Sequence, residues 1–171
     1  MLLDRIIRVF KLDSGVFEEV EHDQEATIQA AIIVAIVAAL SAFGSAFGAI
    51  IGDRSIIGSF LGSLVWAFVG WFLWSAVTYF VGTSFFKGKA TLDEMLRVIG
   101  FSYAPQMLAI IPCFGGIVGW LWSLVAGFLA IRQGLDLDDT NACLTIIIGF
   151  FLYMIGFAVL GMLTGGLFWL F

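Results

Sequence analysis

The sequence predicts an all-α fold: a polytopic membrane helix bundle with about five transmembrane helices and an N-terminal interfacial amphipathic helix. Of the 171 residues, 61% are hydrophobic and only 12% are charged, whereas soluble domains carry about 25% charged residues. Several charge-free runs are long enough to cross a hydrocarbon core of about 30 Å. Most of the chain is therefore expected to face lipid. The net charge of −5, with only eight Lys and Arg, argues against nucleic acid as a partner.

The first 26 residues are expected to form a cytosolic segment, and residues 27–171 the transmembrane domain. Between Leu2 and Phe10, apolar and charged residues alternate in helical rhythm, which predicts a helix lying on the membrane surface. The alternative is a surface helix that packs on the protein's own loops. An acidic stretch follows, with five carboxylates around His22, the only histidine, and a solvated position is expected for that side chain.

Two charge-free runs, residues 27–52 and residues 56–86, are the first two predicted spans. Small residues recur along them at four-residue spacing, which lets two helix backbones approach closely. We expect these small faces to pack spans within the chain rather than to form a homodimer. The glycines concerned are Gly44, Gly48, Gly52, Gly58 and Gly62.

The second half of the chain contains two shorter apolar stretches and one long one. Thr91 and Glu94 form a capping-box pattern, which predicts that a helix begins there. Residues 98–112 and 115–131 follow, with 15 and 17 residues, at the lower edge for a full crossing. They form either two short spans or a re-entrant hairpin. Residues 142–171 are the last predicted span.

The distribution of cations predicts how the chain is threaded. With five crossings, seven of the eight Lys and Arg lie on one side of the membrane, and only Arg54 lies on the other. The positive-inside rule then places the N-terminus in the cytosol and Phe171 outside, whether or not the hairpin crosses completely. Cys113 and Cys143 would lie on opposite sides, so we expect no disulfide between them.

A break in the third apolar segment is the first candidate site. Pro105 has no N–H to offer the carbonyl of Phe101, and Ser102, Tyr103 and Gln106 surround it. One interpretation is a small polar pocket or a flexible point. The other is a proline kink whose free backbone groups are satisfied by neighbouring side chains.

Two arginines, Arg97 and Arg132, stand at the two feet of the predicted hairpin, close to carboxylates in both adjoining loops. One hypothesis is that their guanidinium groups bind lipid phosphates at the membrane surface. The other, which the density of nearby carboxylates favours, is that they form ion pairs that hold the loops together.

No Asp, Glu, Lys, Arg or His lies inside any predicted span, although ion-coupled transporters usually place ionisable groups there. The sequence also has no nucleotide-binding glycine loop, no Cys/His metal cluster and no nucleophile–base pair. We therefore expect no catalytic, cofactor or metal site, and a protein that is not an enzyme.

Three segments, read together, resemble the Yip (Ypt/Rab-interacting protein) family of five-span membrane proteins. They are VFEEVEHDQEATIQAA, LRVIGFSYAPQML and GWLWSLVAGFLAIRQGLDLDDTNA, in the family's order, and Gly100 to Pro105 (GFSYAP) is the most telling part. The resemblance implies a compact five-helix bundle with a cytosolic N-terminus.

The resemblance also limits which partners are expected. Eukaryotic members bind prenylated Rab GTPases and other family members, and they carry a long N-terminal region with an Asp-Leu-Tyr-Gly-Pro element. Here about 26 residues precede the first span, without that element, as in the prokaryotic branch, so Rab binding is not expected. Membrane lipids and another membrane protein, or a second copy, are the expected partners in a prokaryotic cell membrane. The predicted role is a scaffold or partner subunit in membrane organisation or trafficking; the alternative is a small transporter or channel subunit that uses the broken third helix.

Overall fold

The computed structural model describes residues 2–51, 56–111 and 114–163. These residues form seven α-helices and one 3₁₀ helix, with no strand among them, which confirms the predicted all-α membrane bundle. The helices are α1 (Leu2–Phe10), α2 (Gly15–His22), α3 (Ala26–Ile51), α4 (Ile56–Phe86), α5 (Leu92–Ser102), the 3₁₀ helix (Ala104–Ile110), α6 (Gly115–Gly134) and α7 (Asp139–Leu163).

Within these ranges, three helices are long and apolar enough to cross a membrane, namely Phe60–Phe86, Gly115–Gly134 and Asp139–Met162. A fourth is counted if Gly15–His22 and Ala26–Ala42 are taken as one span, broken by a bend of 119°. The third predicted segment is not among them, because its backbone changes from α to 3₁₀ geometry after α5. The first two predicted spans agree with α3 and α4 to within one residue. The direction of threading stays a prediction.

The helix α5 lies at the centre of the bundle, where it packs against α2, α3, α4 and α6. It begins at the predicted capping box: Thr91 Oγ1 accepts a hydrogen bond from the Glu94 N–H at 3.3 Å, and the Thr91 N–H donates to the Glu94 carboxylate at 2.7 Å. Both helix-end donors are thereby satisfied. The side chains of Met95, Ile99 and Phe101 are fully buried, so α5 supplies much of the core.

The helix α2 was missed by the sequence analysis, which expected a solvated acidic segment there. Val16, Phe17 and Val20 are fully buried, and α2 packs against α5 and α6. Positions 16, 17 and 20 fall on one face of a helix, while Glu18 and Glu19 fall on the other. The carboxylates hid a short apolar stripe, because five of them dominate the composition of this stretch.

The helix α1 rests on the protein itself, as the alternative interpretation had it. It contacts α2, α5, α6 and the 3₁₀ helix, with Val9 fully buried. Arg5 forms ion pairs with Glu19 at 2.9 Å and with Asp23 at 2.7 Å. The apolar side chain of Leu3 is 69% exposed. The helix therefore also keeps an apolar edge that is free to contact the membrane surface.

The 3₁₀ helix and α6 form a hairpin in which the two backbones touch. A methyl group at Gly119 would lie 2.6 Å from the carbonyl oxygen of Pro105, and one at Gly115 would lie 1.9 Å from that of Leu108. At the other end of the hairpin, Gly134 lies against Val98 on α5. The segments before and after the turn are thus antiparallel, and two glycines four residues apart permit the close contact.

The predicted glycine faces on the first two spans are only partly described. Gly62 is buried and Gly58 is half-buried in α4, which packs along α3. Gly44 and Gly48 lie in α3, but their surroundings fall outside the described part, and Gly52 lies outside the described residues altogether. Arg54, Cys113 and Phe171 are likewise outside them. Cys143 is an exposed, free cysteine.

Candidate functional site

A cleft of about 220 Å³ lies beside the break that follows α5, with walls from α4, α6 and α7. Three of the four residues predicted to form a polar pocket, Ser102, Tyr103 and Gln106, line it. Pro105 does not. The other lining residues are Trp74, Trp120, Ser123, Leu124, Gly127, Phe128, Ile131, Ile146, Phe150 and Tyr153.

Pro105 occupies the first turn of the 3₁₀ helix, where a missing N–H is tolerated. The carbonyl of Phe101, which Pro105 cannot serve, accepts a hydrogen bond from the Tyr103 N–H. Ser102 Oγ donates to the carbonyl of Ile99 at 2.7 Å. The kink is therefore satisfied locally, and the cleft forms beside it, so the two interpretations of the break describe neighbouring parts of one structure.

The mouth of the cleft faces sideways between α6 and α7. Trp120, Leu124 and Phe150 stand at this mouth and are 57%, 52% and 51% exposed. Deeper in the cleft, Ser123 Oγ is buried and has no hydrogen-bond partner within the described part of the chain. No Asp, Glu, Lys, Arg or His lines these walls as far as they are described. The site is thus an apolar, lipid-facing cleft with a few uncharged polar groups inside.

The predicted role of Arg97 is wrong under both hypotheses. Its side chain is buried, and its Nε and Nη2 donate to the carbonyl oxygen of Glu21 at 3.1 and 2.6 Å. Its Nη1 lies 3.4 Å from Thr27 Oγ1, and among the described residues it forms no ion pair. The reason is α2: its last turn places a free helix carbonyl against the guanidinium, which also suits the negative end of the helix dipole.

Arg132, at the other foot of the hairpin, forms an ion pair with Asp139 at 2.8 Å. This contact joins the end of α6 to the first residue of α7, as the second hypothesis proposed. Both side chains keep contact with solvent, so the pair holds the loop in place more than it stabilises the fold.

Glu21 combines a buried carboxyl group with acidic neighbours. Burial raises its pKa to about 7; Asp136, Glu94 and Glu18 add to the rise, and His22 opposes it. The pKa of His22 is raised by the Glu18 carbonyl, 2.9 Å from Nδ1, and by Glu21. His22 is exposed, as predicted from the sequence, whereas the burial of Glu21 was not predicted.

We expect Glu21 to make the protein less stable as the pH rises. Between its ordinary pKa of 4.5 and its native value of about 7, the folded state holds a proton that the unfolded state has lost, so stability falls with rising pH. Glu21→Gln stays neutral and should be more stable than the native chain above pH 7. Melting temperatures at pH 5, 6, 7 and 8 measure this, with the exposed Glu25→Gln as control. Equal pH profiles for the Glu21→Gln variant and the native protein would contradict it.

A comparison with protein families identifies the chain. A family model described as Yip1 domain matches residues 7–163, from within α1 to the end of the described part of α7. No curated protein and no solved structure matches it. The matched range includes the three segments whose order suggested this family, together with the break at Pro105 and the cleft beside it. The chain belongs to the Yip family.

Proposed function

We propose that this protein acts without catalysis, as a scaffold or partner subunit of a membrane complex that serves membrane organisation or trafficking. The observation that carries the proposal is the isolation of α7. This helix packs mainly on α4, and only 11% of its most apolar stretch is buried within the chain. Its exposed side chains include Ile147, Phe151, Ile155 and Met162, which point to several sides of the helix.

Such a helix offers apolar area and shape to a second membrane helix. Association inside lipid depends on side-chain packing, since lipid tails are as apolar as the helix surface. The bulky aromatic and aliphatic side chains of α7 supply irregular relief for that packing. The same face contacts lipid wherever no partner covers it.

The alternative, a small transporter or channel subunit, has weaker support. The cleft at Tyr103 and Gln106 opens sideways toward lipid, and its described walls carry no charged side chain. Coupled transporters usually place ionisable groups within their spans, and the apolar runs of this chain contain none.

The test is purification of the tagged protein from its own membranes in a mild detergent, followed by mass spectrometry of everything that is present in stoichiometric amount. We expect a reproducible membrane-protein partner or a second copy. Ile155→Trp on α7 should remove it, whereas Val65→Trp on α4 should not; both positions are 61% exposed. A solitary protein that carries only a solute would contradict the scaffold role and favour transport.

A further inference from the structure

We propose that the cleft between α6 and α7 binds one acyl chain of a glycerolipid from the surrounding bilayer, with the ester carbonyl of that chain hydrogen-bonded by Ser123, Tyr103 and Gln106. The site would hold part of a lipid that stays embedded in its leaflet. This inference goes beyond the scaffold role and does not depend on it.

The depth of the cleft follows from its distance to α1. Trp122 Nε1 on α6 donates a hydrogen bond to the carbonyl of Phe10, the last residue of α1, at 2.9 Å. Since α1 carries Arg5 and Arg8, and charged groups are costly at the bilayer centre, this turn of α6 lies near a membrane surface. Tryptophan also prefers that level. Ser123 is the next residue, about 1.5 Å further along the helix axis, so the polar end of the cleft lies near the level of the glycerol esters.

The chemistry of the walls selects an uncharged acceptor. Ser123 Oγ is buried without a partner in the described part of the structure, and a buried hydroxyl left in this state costs about 1–3 kcal/mol. Tyr103 contributes a phenolic hydroxyl, and Gln106 contributes an amide with two N–H donors. A carbonyl oxygen satisfies such donors. Because the described walls hold no cation, the group that is recognised is the ester rather than the lipid phosphate.

The shape of the cleft suits an apolar chain that enters from the side. Trp74 on α4 and Tyr153 on α7 meet edge to face, with ring centroids 5.5 Å apart, and together line one wall. The exposed side chains of Trp120 and Phe150 flank the entrance. The volume of about 220 Å³ is below the ~300 Å³ at which pockets begin to enclose a whole small molecule. One chain segment next to its ester therefore fits, and a whole lipid does not.

The test uses the purified full chain in nanodiscs of phosphatidylcholine that contain a small amount of a photoreactive phosphatidylcholine. The probe carries a diazirine near the carbonyl end of one acyl chain, in either an ester-linked or an ether-linked form. After irradiation, mass spectrometry of peptides locates the adducts. We expect adducts to concentrate at Trp120, Leu124 and Phe150, and to be more abundant with the ester probe, because the ether lacks the carbonyl oxygen.

Two glycine variants on α6 test whether the cleft itself is occupied. A side chain at Gly127 meets only Ser102 Oγ, at 3.9 Å, so Gly127→Leu fills the cleft without striking the backbone, whereas Gly116→Leu points into open space. Gly127→Leu should reduce the adducts at the cleft about tenfold, which corresponds to ~1.4 kcal/mol. Gly116→Leu should leave them unchanged. Equal labelling of both variants, or even labelling along the whole lipid-facing surface, would overturn the proposal.

Ser123→Ala decides the role of the ester and keeps the test valid if Gly127→Leu does not fold. Loss of one buried, unpartnered hydroxyl should leave the fold intact. We expect adducts at the cleft to persist while the preference for the ester probe decreases. Absence of any ester preference in the native protein would refute hydrogen bonding to the carbonyl. Because only this protein and defined lipids are present, the result is independent of any protein partner.

Discussion

Arg97→Ala is expected to lower the free energy of unfolding by about 3 kcal/mol, because it leaves buried hydrogen-bonding groups without their charged donor. The guanidinium of Arg97 is the contact that joins α5 to the carbonyl of Glu21 at the end of α2 and to Thr27 at the start of α3. Its loss opens a cavity at the bend between those two helices. Reversible unfolding in mixed micelles, followed by tryptophan fluorescence, measures the effect.

Arg132→Ala is the matched control, since Arg132 is partly exposed and pairs with an exposed carboxylate. Exposed pairs contribute about 0–1 kcal/mol. Arg97→Lys should fall between the two, because an ammonium cannot reproduce the forked geometry of the guanidinium. Similar stability for Arg97→Ala and Arg132→Ala would show that the contacts of Arg97 do not hold α2 in place.

Gly119→Ala is expected to destabilise the hairpin by about 1–3 kcal/mol, the range for overpacking a tight contact. The added methyl group would lie 2.6 Å from the Pro105 carbonyl oxygen and 3.2 Å from the Gln106 Cα. Both are backbone atoms, so relief requires a shift of the 3₁₀ helix or of α6. The change opposes, and should exceed, the gain of about 1 kcal/mol that alanine brings to a helix interior.

Gly116→Ala provides the control on the same helix, because no atom lies within 4 Å of the added methyl group. It should be neutral or slightly stabilising. The same unfolding measurement applies to both variants. If Gly119→Ala were as stable as Gly116→Ala, the close backbone contact between the 3₁₀ helix and α6 would not exist in the membrane.

Much of this architecture could be predicted because its signals are local. Charge-free runs marked α3 and α4, since the cost of a charge in lipid is set by residues within one span. The capping box at Thr91 and Glu94 was visible because its two hydrogen bonds join residues three apart. The cleft was predicted from Pro105 and the polar residues next to it, as a missing N–H disturbs only its own turn.

Other features were beyond the sequence for a definite reason. Arg97 and Glu21 are 76 residues apart, and nothing local indicates that a helix carbonyl waits for the guanidinium. The contact of Gly119 with Pro105 depends on how the hairpin closes, and the cleft walls from α4 and α7 come from distant segments. The short apolar stripe of α2 became visible only through the surface that covers it.

By itself, the sequence determined that this chain is a helical membrane protein, where two of its long helices run, and that its third segment is broken. Composition and spacing suffice for these properties, because lipid imposes the same demand on every residue of a span. Only the tertiary structure decided the partner of Arg97, the burial of Glu21 and the walls of the cleft. These depend on which distant surfaces meet, and packing contacts between apolar helices leave no periodic trace in either sequence.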